Sequence, residues 1–374
     1  MAAPFMLKPW RAEGALKREK TSTPNTAKEK KGMAKQHKVA LIGCGRRARM
    51  HGPALRDDGR CQIVAVSDIK REAAEAMKAD FGFDGATIYT DHREMLDKER
   101  PEVVVTCLWT PLHLPVFKDC VAAGVKAVLS EKPMAPTWGE CQEMARLAEA
   151  SGCQLTFCHQ RRFGAGNLLA RKLIAEGRFG QPLRMDLSSP RNLLDCGTHT
   201  LDQAMSMINE TPAKWVLGAV DASEIKRSFD VPSEAMAIGL VVFQNGVRAY
   251  IQVGGTDLDI WGGVRFIGTE GFVELMWDGQ WKNAVIYKEP DWVPPTVEAN
   301  KDAHIPGVVR NALDCLESGA EPELSHKKAL RAAEIIFALY ESVRRHARVE
   351  LPLTTTDNAF ATMVETGAFG PRPV

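Results

Sequence analysis

Between residues 38 and 160 the apolar positions come in short continuous runs, separated by stretches with helical spacing. KVALIG (38–43) and QIVAVSD (62–68) are apolar at successive positions, as strands buried on both faces of a parallel sheet are. Between them Met50, Ala54 and Leu55 recur at the spacing of a helix face. The alternation continues through REAAEAMKADFG, PEVVVTCLWT, LPVFKDCVAAG, KAVLSE, GECQEMARLAEASG and QLTFCH. Repeated strand and helix units of this kind predict a doubly wound parallel sheet, a Rossmann domain over residues 38–160.

Beyond residue 160 the period changes. RRFGAGNLLARKLIAEGRFGQP predicts an amphipathic helix ending at a glycine turn, and LRMDLSS a strand. AMAIGLVVFQN, VRAYIQVGG, GGVRFIGTEGFVELMW and AVIYKE alternate as antiparallel strands do, with QNG and GTEG as turns, before helical spacing returns from Ile305 to Arg345. The expectation is an α/β protein whose Rossmann sheet is followed by an α+β substrate and oligomerisation domain over 161–353. Residues 354–374 read as a C-terminal tail.

Composition adds limits. The chain has 374 residues and no apolar run near the length of a membrane span, so it reads as soluble and without a membrane partner. Nine cysteines without CxxC spacing fit a reducing cytoplasm and argue against structural metal. Residues 1–38 hold ten lysines and arginines against three glutamates, while the remainder is slightly acidic. Residues 1–37 are therefore expected to be a disordered basic leader, and Met33 opens MAKQHKVALIG directly before the first strand. An acidic body makes nucleic acid an unsuitable partner.

The chemistry starts at Gly43-Cys44-Gly45-Arg46-Arg47-Ala48, which fits GxGxxA between a predicted strand and helix. Gly43 serves the turn, Gly45 lets backbone approach a pyrophosphate, and Arg46 and Arg47 stand beside it. Asp68 ends the second strand, where a carboxylate accepts from ribose hydroxyls and repels a 2′-phosphate; NAD is favoured, with NADP left open by Lys70 and Arg71. Glu131-Lys132-Pro133 ends the fifth strand at the crevice, so Lys132 would face the nicotinamide. Asp195, His199 and Asp202 fall at i, i+4 and i+7, sharing one helix face, where a carboxylate would orient the imidazole or raise its pKa.

Six segments in order resemble the Gfo/Idh/MocA family (glucose–fructose oxidoreductase and inositol dehydrogenase-like): GCGRRA with AVSD, TPLHLPVFKDCVAAGVKAVLSEKPMA, RRFGAGNLLARKLIAEGRFGQP, DCGTHTLD, FIGTEGFVEL and RVELPL. The resemblance implies a predominantly antiparallel second sheet and homo-oligomers, dimers or tetramers, built by packing those sheets. It implies a catalytic set of Lys132, Asp195 and His199, with Asp202 as the last acidic position. Thr110, His113, Glu131 and Lys132 join Gly43, Gly45, Arg46, Arg47 and Asp68 on the cofactor side. The activity implied is NAD(P)-dependent hydride transfer at a secondary alcohol of a sugar, cyclitol or sugar derivative, with no metal. A redox-neutral glycosidase or lyase working through transient oxidation, and a dinucleotide-binding regulator without catalysis, are the alternatives. Two departures stand out: a long insertion common before DxGxH is missing, and Pro115 replaces a frequent His.

Overall fold

A computed structural model describes residues 35–254, 262–297 and 304–368. The predicted leader lies almost wholly outside them. Six strands, β1 (His37–Ile42), β2 (Cys61–Ser67), β3 (Thr87–Tyr89), β4 (Val103–Thr106), β5 (Ala127–Ser130) and β6 (Gln154–Phe157), form one parallel sheet in the order β3-β2-β1-β4-β5-β6. The doubly wound arrangement read from the sequence is the one observed. Val103–Thr106 and Ala127–Ser130 are buried throughout, which explains why they read as unbroken apolar runs. The connecting helices are α1 (Ala48–Asp57), α2 (Arg71–Phe81), α3 (His92–Glu99), α4 (His113–Ala122) and α5 (Trp138–Ser151). Helix α5 begins at an N-cap threonine, Thr137 accepting from the Glu140 amide and donating to its carboxylate, and stops at Gly152 in the left-handed region.

The chain then forms α6 (Ala165–Ala175), β7 (Pro182–Ser189), a single π-helical turn (Leu193–Gly197) and α7 (Thr198–Met207). Strands β8 (Ala213–Asp221), β9 (Lys226–Ser228), β10 (Val231–Ser233), β11 (Met236–Phe243), β12 (Arg248–Gly254), β13 (Gly263–Gly268), β14 (Gly271–Met276) and β15 (Trp281–Ile286) follow. Helices α8 (His304–Ser318) and α9 (His326–Arg345), strand β16 (Val349–Glu350) and α10 (Ala359–Glu365) complete the described chain. The second sheet has eight strands, β15-β14-β13-β7-β12-β11-β8-β16, antiparallel except where β7 meets β12. Strands β9 and β10 stand apart as a hairpin.

Alternation along the second sheet separates its faces. Gly218 and Gly239 are approached by Leu339 of α9, leaving no room for side chains, whereas Leu217, Ile238 and Tyr250 point the other way and are exposed. Residues 354–368, read as tail, carry α10, which buries Ala359, Phe360 and Met363 and stacks Phe360 near Tyr340.

Candidate active site

The strand order reverses between β1 and β4, and the glycine turn sits at that switch point. Gly43 has φ +85°, and a Cβ there would stand 2.5 Å from the Cys107 carbonyl oxygen at the end of β4, so the position admits only glycine. Gly45 has open space around it, and α1 begins without a side-chain cap, leaving its first amides to an anion. The Asp68 oxygens accept from the Cys44 amide at 2.7 Å and the Lys70 amide at 2.9 Å, holding a carboxylate against the turn. These residues fit a dinucleotide.

Other cofactor-side residues are placed less simply. Arg46 is exposed at the cleft. Arg47 donates to Glu131 at 2.8 Å, and His51 holds the same oxygen at 2.8 Å. Burial works to raise the Glu131 carboxyl, but His51 and Arg47 outweigh it and hold it down at about 2. His113 is buried with its ring nitrogens each 3.2 Å from a main-chain carbonyl, of Met134 and Leu108, so within the described chain it braces loops. Thr110 is wholly buried, its amide donating to the Phe229 carbonyl at 3.3 Å. Pro115 is the third residue of α4, where a missing N–H leaves no hydrogen bond unmade.

Lys132, Asp195 and His199 line one cleft of about 340 Å³ with Arg46 and Arg47. The Lys132 ammonium donates to both the main-chain oxygen and Oδ1 of Asp195, each at 2.9 Å, and Arg191 takes Oδ2 at 3.0 Å. Burial pushes the Asp195 carboxyl up, yet Lys132 and then Arg191 outweigh it, leaving it below the ordinary range. The expectation that a carboxylate orients His199 and raises its pKa is corrected. Asp195 lies in the π-helical turn, facing Lys132, and Asp202 faces the buried Arg162, which donates Nε and Nη2 to it at 2.7 Å each. His199 Nδ1 has no hydrogen-bond partner among the described residues. Burial, then the positive charges of Arg161 and Lys132, lower its pKa well below the usual value.

Several site residues escaped the sequence reading. Arg162, fully buried, also meets Glu210 and Glu323 and ties the chain after β6 to α7. His159 donates to or accepts from the Thr198 hydroxyl at 2.9 Å and packs edge-on against His199, 5.4 Å between centroids. Phe229, at the tip of the β9–β10 hairpin, lies with its ring 4.3 Å from the Lys132 ammonium. Asn192 holds that hairpin through Ser228 at 2.7 Å and Ser233 at 3.2 Å. Only three residues separate β7 from the π-helical turn, and Phe229 of the hairpin lines the cleft. The RR doublet after a strand end was the available signal for the arginines; Phe229 had none, because its contact spans nearly a hundred residues.

The sequence model of an oxidoreductase family with an NAD-binding Rossmann fold matches residues 37–159. The match covers the dinucleotide-binding part of the chain. The protein is an NAD-binding oxidoreductase. D-apiose dehydrogenase of Paraburkholderia graminis is 25% identical over 365 residues, covering 89% of this chain and 95% of that protein. Inositol 2-dehydrogenase of Azotobacter vinelandii is 31% identical over 33% of this chain and 36% of its own. Among solved structures, an NAD-binding oxidoreductase from Klebsiella pneumoniae superposes with a TM-score of 0.74 at 18% identity, over 85% of this chain and all of that one. This likeness in fold extends beyond the Rossmann sheet to the second one.

Proposed function

We propose that this protein is a dehydrogenase moving hydride between nicotinamide and a secondary alcohol of a sugar, cyclitol or related polyol, with Lys132, Asp195 and His199 as its working residues. The observation that carries this reading is the convergence of a main-chain-anchored ammonium and a neutral imidazole in the cleft that also holds the glycine turn. Bound NAD supplies the hydride acceptor. Gly43, Gly45 and the start of α1 would hold its phosphates, and Asp68 its ribose, favouring NAD over NADP.

The chain's own residues handle the proton and the oxygen. Neutral His199 accepts the hydroxyl proton, which its lowered pKa leaves it free to do at neutral pH. Lys132 donates to the oxygen as negative charge develops, and polarises the carbonyl in reverse. Asp195 positions Lys132 rather than His199, since both hydrogen-bond partners of its carboxylate among the described residues are cations. The relatives named for apiose and inositol support a polyhydroxylated substrate. A cytoplasmic homo-oligomer, associating through the open face of the second sheet, is part of the same proposal.

The test is NADH formation followed at 340 nm with neutral and acidic sugars and polyols. Lys132→Met should lower turnover by about 10²–10³, the loss of one oxyanion donor, while NADH affinity stays within a few-fold. Wild-type turnover in that variant would remove Lys132 from the chemistry.

A further inference from the structure

Five cations line the cleft, Arg46, Arg47, Lys132, Arg161 and Arg191, against three carboxylates, Glu131, Asp195 and Asp278. Arg47 is taken by Glu131, and Lys132 and Arg191 share Asp195. Arg46 stands on the glycine turn, where a dinucleotide's phosphates answer it. Arg161 is different. It lines the cleft from the turn after β6, makes no ion pair among the described residues, and has its Nη1 shut off from water without a hydrogen-bond partner. Its guanidinium lies 5.7 Å from the Trp277 ring, and burial lowers its pKa by more than neighbouring Cys196 and Asp195 raise it. It is also the charged group acting most strongly on His199, with which it lines the cleft.

We infer that the substrate carries a carboxylate which Arg161 receives, so that the enzyme acts on a polyhydroxy acid of the aldonate or uronate class. A guanidinium presents paired N–H groups in a plane that matches a carboxylate. A phosphate ester would demand further donors, and the neighbouring cations Lys132 and Arg191 are already engaged by Asp195. A neutral sugar would leave the half-buried guanidinium without counter-charge, a cost that a carboxylate removes.

This inference rests on the dehydrogenase reading, and its test separates the two. Binding of D-gluconate, D-galactonate, D-glucuronate and D-galacturonate to the NADH-loaded full chain is measured by calorimetry against D-glucose, D-galactose and their 6-phosphates. At least one acid should bind about tenfold or more tightly than its neutral parent, and the preference should fall below about twofold in Arg161→Gln, which keeps NADH affinity as a check on folding. Neutral sugars or phosphate esters binding as tightly as the acids, no acid binding below about 10 mM, or an acid preference surviving in Arg161→Gln would each overturn it. Acids that bind through Arg161 without NADH formation in the forward assay would leave the subsite standing and remove the dehydrogenase reading. Neutral sugars oxidised equally by wild type and Arg161→Gln would do the reverse.

Discussion

His199 shows how strongly a single side chain depends on what surrounds it. An imidazole one turn from two aspartates would in water have its pKa raised, but here both carboxylates are committed to other cations and the ring meets burial, Arg161, Lys132, His159 and Arg47 instead. Its charged form is disfavoured, so it is already neutral through pH 6.5. The rate of alcohol oxidation should therefore be flat from pH 8 down through the ordinary histidine range, and fall only at lower pH. His199→Ala should lower the rate by about 10²–10⁴ and abolish that acidic limb, read from kcat against pH. An acidic limb centred at or above about pH 6.5 in wild type would show that the ring gains a carboxylate partner once substrate is bound.

At the scale of an element, the β9–β10 hairpin joins two parts of the chain that the sequence keeps apart. Its turn is two residues long, with Phe229 at φ +51° and Asp230 at φ +67°, the left-handed pair typical of a tight hairpin. Asparagine or glycine suits that conformation, and a phenylalanine there costs about 1–3 kcal/mol. What offsets it is the ring over Lys132, worth about 0.5–2 kcal/mol as a cation–π contact and able to keep water from the ammonium. Phe229→Asn keeps the turn and deletes the ring. It should leave the melting temperature within about 3 °C while kcat falls several-fold. An equal loss of stability would instead mark the ring as packing.

Across the whole molecule, two consequences follow from burial. His113, His159 and His199 each have a pKa lowered chiefly by burial, so the unfolded chain binds more protons than the folded one below about pH 6.5. Stability is full above that pH and declines as pH falls, and Asp195 and Glu131, also lowered, extend the decline further into acid. Urea midpoints should hold from pH 7.5 to about 6.5 and drop from there to pH 5; a midpoint constant throughout would contradict the burial of neutral rings. The second consequence is the open sheet face, where Leu217, Ile238 and Tyr250 are over 40% exposed together. Light scattering should give a multiple of 41.2 kDa, reduced to the single-chain mass by Ile238→Arg with Leu217→Glu. A wild-type protein running at 41.2 kDa would end the oligomer proposal.

The strand runs, the glycine turn and Lys132 at the end of β5 were legible because they depend on local order: side-chain period, a backbone conformation that Gly43 alone permits, and the polarity of a parallel strand. The second sheet was legible as alternation, though not the parallel pairing of β7 with β12, which joins strands about 60 residues apart. Which partner each charge takes was decided only by tertiary structure. Asp195 and Asp202 share a helical spacing with His199 on paper, but the π-helical turn moves Asp195 onto Lys132, and the fully buried Arg162 claims Asp202. Spacing along a chain fixes which side chains can meet on one element; desolvation and opposite charge from other elements decide which of them do.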